Sequence, residues 1–210
     1  KHLAIGSAIG NTISNAASSA VSYIKEVTKQ GYELAEAGGT IKKQWTNLGL
    51  SDKDATKMTA QIGDIRSKAN MSGGAIDQMQ KKFYAMTNST TKARAMTEVI
   101  ASYGSAAGKS GDQIASMSQG IGKLSGSAKV TASLFKRSFS QVPELQKAVI
   151  KASGMSTDAF NKQLAAGKIT GTQLQGYMVK AAKTSGKAWS EFGDTTKGKI
   201  AAIQGTYTNS

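Results

Sequence analysis

Residues Gly104-Ser105-Ala106-Ala107-Gly108-Lys109-Ser110 end like a phosphate-binding loop, in which backbone amides cradle a phosphate and a lysine neutralises it. The run between the glycines is one residue short, and Tyr103 stands where the first glycine belongs. Such a loop also needs a strand ahead of it to aim its amides, whereas Ala93 to Tyr103 reads as helix, so the segment is predicted to be a helix break followed by a capped helix start. Gly120-x-Gly122 lacks the third glycine of a dinucleotide-binding turn, position 125 being serine. A Ser, His and Asp triad would have to use His2, beside the first residue, and a histidine metal site needs more than one such ligand. With no cysteine in the chain, disulfide frameworks and thiolate metal sites are excluded. The 13 acidic side chains fall mostly in first helical turns or on polar faces, which argues against paired-carboxylate glycoside cleavage. The expectation is a protein that is not an enzyme, with no catalytic residue, cofactor or metal.

The elements that carry these residues are all predicted to be helices, because apolar residues recur at helical spacing and strict alternation over a strand length is hard to find. The fold class expected is all-α: a multi-helix, elongated bundle of short to medium helices with glycine breaks. Ile9, Ile13, Ala17, Val21, Ile24 and Val27 form one stripe ending near Gly31, and a second helix runs from about Tyr32 towards Trp45 and stops at the Gly49 to Ser51 break. Ser51 before Asp52 and Asp54 supplies a capping hydroxyl and two carboxylates at the positive end of a helix dipole, so a helix starts there. Further helices follow the Gly73-Gly74 break and the Thr87 to Thr91 turn, the latter ending at Gly104. Ser110 with Gln113 and Thr170 with Gln173 are capping boxes, Ser156 opens another helix, and Pro143 suits a first helical turn. The apolar pattern continues across Gly120 and Gly122, which are expected to weaken that helix. Residues 1–50 are read as an N-terminal helical segment and 51–210 as the main helical domain, continuous enough to be one.

Two of these helices carry narrow apolar seams: Met58, Ile62 and Ile65, then Ile76, Met79, Phe83 and Met86, at steps of three and four residues. Such seams suit a coiled-coil or bundle partner, and methionine adapts to varied partners. Leu, Ile, Val and Phe make up 36 of 210 residues, about 17%. That supply fits a compact globule poorly and fits better a component that completes its burial against neighbours. Trp45 and Trp189 read as half-buried anchors rather than base-stacking platforms.

Lys and Arg number 27, giving a net charge of +14 without any run of five like charges, so the positive bias is spread along the chain. That charge fits nonspecific DNA contact, an anionic membrane surface or acidic proteins. Residues 3–24 carry no charge and include Gly6-x-x-x-Gly10, but eight of them are Ser, Thr or Asn, too polar to define a span. They are read as a small-residue helix packing on a neighbour, with membrane contact as the alternative.

The stretch FKRSFSQVPELQKAVIKASGMSTDAFNKQLAAGKITGTQLQGYMVKA, residues 135–181, resembles the tape-measure domain of tailed-phage and prophage tail tape measure proteins. The order carries the resemblance: a basic and polar stretch, a proline-led helix at Pro143, Gly154, a helix opened by Ser156, the turn Gly167-Lys168-Ile169-Thr170, and a last helix. Gly171 departs from it, since a better helix former is expected there. LGLSDKDA and SQGIGKLSGSA upstream are similar in arrangement. The resemblance implies a structural, virion-assembly protein of the phage tail, helical and without catalytic residues, whose parent sets tail length, occupies the tail lumen and leaves it when DNA is ejected. Implied partners are further copies of itself and tail-tube or tail-tip proteins, and the implied locations are the virion tail and the host cytoplasm during assembly. A nonspecific DNA-binding helical protein and a membrane-inserting helical segment for DNA ejection are the alternatives.

Overall fold

The computed structural model describes residues 39–192, and among these residues every regular element is a helix. They are α1 (residues 39–47), α2 (Asp52–Arg66), α3 (Gly73–Thr87), α4 (Thr90–Ala106), α5 (Gly111–Ser125), α6 (Ala132–Phe139), α7 (Pro143–Ala152), α8 (Thr157–Ala165) and α9 (Gly171–Phe192). The stripe at residues 9–27, His2 and the uncharged stretch 3–24 lie outside the described residues. Among the described residues no helix is long and apolar enough to cross a membrane.

Helix starts follow local side-chain chemistry. Ser51 Oγ accepts the Asp54 N–H at 3.1 Å, Ser89 Oγ that of Lys92 at 3.2 Å, and Ser156 Oγ that of Ala159 at 3.2 Å, each satisfying an amide with no partner inside its helix. Ser110 and Gln113 form the full reciprocal box, at 3.2 and 2.9 Å. Gly49, Gly108, Gly154 and Gly167 take positive φ just past helix ends, the conformation that closes a helix at low cost for glycine alone.

Contacts divide the described residues inside α3: 39–77 with Phe192 form one compact unit, and 78–191 the other. In the first unit Trp45 is fully buried and its indole N–H donates to Asp77 Oδ1 at 2.9 Å, while Lys42 pairs with Asp52 at 2.8 Å and ties α1 to the start of α2. Trp45→Phe removes one donor from a buried carboxylate and is expected to cost about 1–3 kcal/mol in a urea titration; a loss within error would show that the bond carries no net stability.

In the second unit α5 packs on α4 and α6, α7 on α4 and α6, and α8 on both α6 and α7. At its centre the rings of Phe135 and Phe139 stack at 4.6 Å, and Phe160 meets Phe135 at 5.2 Å and the edge of Tyr177 at 6.4 Å, within the range where aromatic pairs attract.

The composition is not too thin for this chain to bury its own core, contrary to the sequence reading. Small residues let helix axes approach, so few large side chains suffice. Gly104 lies inside α4 rather than at its end, and a Cβ on it would lie 2.7 Å from Ile114 Cγ1 of α5. The α5 helix continues across Gly120 and Gly122, as the apolar pattern predicts, and a Cβ on them would meet Ser138 Oγ at 3.1 Å and Lys82 Cε at 3.1 Å. Trp45 and Trp189 are buried outright, at 0% and 5% exposure.

Candidate interaction site

The apolar seams are covered within the chain. Met58, Ile62, Ile65 and Ile76 are 0–1% exposed, Met79 is 4% and Phe83 0%, whereas Met86 is half-buried, its Cε 3.8 Å from where a Cβ on Gly126 would stand. Periodicity reports that a helix face is buried but not whose atoms bury it; the burial assigned to a neighbouring subunit is supplied here by the chain's own helices.

The positions quoted for the family motif are brought into the architecture as caps and anchors. Pro143 is the first residue of α7, where its missing N–H costs nothing, and Glu144 beside it favours the helix dipole. Gly154 takes φ +75 and donates its N–H to Lys151 O at 3.1 Å, ending that helix before Ser156 opens α8.

Gly167, Lys168, Ile169 and Thr170 join a clasp with the loop after α5. Gly167 turns the chain at φ +66, and the Lys168 N–H donates to Gln163 O at 2.9 Å, leaving the lysine side chain exposed. Ile169 is buried and its carbonyl accepts the Val130 N–H at 2.8 Å. Thr170 caps α9 in the predicted box with Gln173, at 2.9 and 3.1 Å. The next residue, Gly171, donates its N–H to Ser127 O at 3.0 Å, and the buried Gln175 side-chain amide donates to Ser125 O at 2.7 Å. The amide-bearing start of α9 thus meets the carbonyl-bearing end of α5, the favourable way round for two helix dipoles.

Gly171 corrects the sequence reading most sharply. A Cβ on it would lie 2.3 Å from Ser127 O, 2.5 Å from Ser125 O and 2.9 Å from Leu124 O, so no better helix former fits. The Gln175 bond to Ser125, 50 residues away, left no signal in local spacing. Gly171 left one, a glycine in the first turn of a well-capped helix, which is unfavourable unless something approaches closely.

The segment Gly104 to Ser110 has no phosphate-binding geometry. It follows a helix, and the amides of Ala107, Gly108 and Lys109 are spent on Tyr103 O, Ser105 O and Gly104 O, each at 3.0 Å. Among the described residues no group of three or more His, Cys, Asp or Glu side chains could hold a metal ion.

What the second unit presents outward is positive charge. Residues 78–191 carry 16 basic and 5 acidic side chains, a net +11. Asp112, Glu144 and Asp158 sit in first turns of α5, α7 and α8, where helix dipoles engage them. Lys92, Lys123, Lys136, Arg137, Lys162 and Lys168 are all exposed.

The described residues thus form an assembly of helices with internally closed seams and a basic exterior. A protein-family model described as tape measure protein matches residues 29–210, so the chain belongs to the tape measure protein family. No curated protein and no solved structure matches it.

Proposed function

We propose that this chain is a segment of a phage tail tape measure protein, one that sets tail length during assembly and occupies the tail lumen. The observation that carries this reading is the family match over residues 29–210. The all-helical architecture and the basic exterior support it: a net +11 over residues 78–191 suits contact with acidic lumen-wall proteins and with DNA passing the same channel. In this reading the partners are tail-tube or tail-tip proteins and further copies of the chain, met through outer surfaces because the apolar seams are already filled, and the protein passes through the host cytoplasm before it enters the tail.

Excising the codons for residues 39–192, in frame, from the parent reading frame tests the proposal by electron microscopy of the particles. The expected result is loss of tails or a population of uniformly altered length. Tails normal in number and length would contradict it.

A further inference from the structure

Beside the C-terminal end of α4, the facing sides of α7 and α9 leave a groove of about 480 Å³. Its shape follows from small residues. Ala148 and Ala152, four apart on α7, and Ala181 of α9 contribute only methyl groups, and Tyr103 of α4 adds one aromatic wall. The groove also carries Glu144, Lys147, Lys151 and Lys180. Lys147 is taken by Glu144 at 3.3 Å, whereas Lys151 and Lys180 are exposed and have no ion pair among the described residues. The groove is therefore apolar along its floor and net positive along its edges.

Tyr103 is half-buried, and its phenol is held above the usual tyrosine value, chiefly by burial and further by the Glu144 carboxylate, with the Ser185 hydroxyl pulling the other way. It stays a neutral hydrogen-bond donor at the groove wall.

We propose that this groove docks an acidic amphipathic helix of a partner protein, its small apolar face on Ala148, Ala152 and Ala181 and its carboxylates on Lys151 and Lys180. Three features select this occupant. The alanine floor lets a helix backbone approach closely and gives a methyl-lined surface to bury, which a phosphate backbone cannot use. Two unpaired cations match the spaced carboxylates of one helix face, whereas a nucleic acid strand is held by a track of cations with stacked aromatic rings, and here a single ring is present. A second copy of the chain, at net +14, would bring like charge to the groove. The inference stands on the groove alone and does not depend on the tail role.

The test is fluorescence anisotropy on the full chain with a labelled synthetic helix of Glu, Ala and Leu, the leucines recurring every third or fourth position along one face. Binding is expected, with K151E/K180E weakening it about tenfold or more. K92E/K123E, the same charge change on exposed residues outside the groove, should weaken it less than about threefold, as screened distant charges do. A148L fills the floor without altering charge and should weaken binding about tenfold. Absence of binding, equal loss in both charge-reversal pairs, or an unaffected A148L would overturn the proposal. So would a short single-stranded DNA that binds the wild-type chain more tightly than the peptide and loses affinity in K151E/K180E alone.

Discussion

Replacing Gly171 by alanine should lower the melting temperature by roughly 4–12 °C, the equivalent of about 2–3 kcal/mol for a chain of this size. The cause is backbone against backbone. The added methyl would stand 2.3 Å from Ser127 O and 2.5 Å from Ser125 O, and neither oxygen belongs to a side chain that can rotate away. Relieving the overlap means drawing the start of α9 off the end of α5, which strains the Gly171–Ser127 and Gln175–Ser125 hydrogen bonds together. Gly176, one turn further along α9, is the internal control: nothing lies within 4 Å of a Cβ there, so Gly176→Ala should raise stability by about 0.5–1 kcal/mol through helix propensity alone. Opposite signs from two glycine-to-alanine changes five residues apart in one helix are the expected calorimetric result. Equal signs would mean that the two helix ends do not meet as closely as described.

Phe160→Ala should cost about 4 kcal/mol, read from a urea titration, because it empties the centre of the aromatic group in the second unit. The ring is fully buried between Phe135 and Tyr177, so its loss removes apolar transfer energy, leaves a cavity and cancels two ring contacts at 5.2 and 6.4 Å. Phe160→Leu retains most of the volume and should cost clearly less. A cost below about 1 kcal/mol for the alanine variant would contradict the packing described.

How much of this was legible in the sequence depended on the range of the interaction. Ser51, Ser110, Ser156 and Thr170 were readable as helix starts because a cap joins residues three apart, and each bond is present. Helix type was equally legible, since apolar spacing reports one face at a time. Gly104 was read as a helix end and Gly171 as an unfavourable helix start because the atoms that crowd them, on Ile114 and Ser127, lie outside their own helices. The seam from Ile76 to Met86 shows the same limit: steps of three and four residues fix which side is apolar, and chain topology alone decides whether this chain or a partner covers it. The lysines of the α7–α9 groove carried no signal, being ordinary solvated cations until two helices bring them alongside an alanine floor.

The chain closes its own apolar seams, so the partner contacts proposed above fall to its charged exterior. Amide hydrogen exchange on the full chain over a wide range of protein concentration tests it most directly. Slow exchange around Met58, Ile62, Ile65, Ile76, Met79 and Phe83, at rates that do not change on dilution, is the predicted result. Protection of those helices that appears only as concentration rises would contradict it, because the seams would then be closed by another molecule.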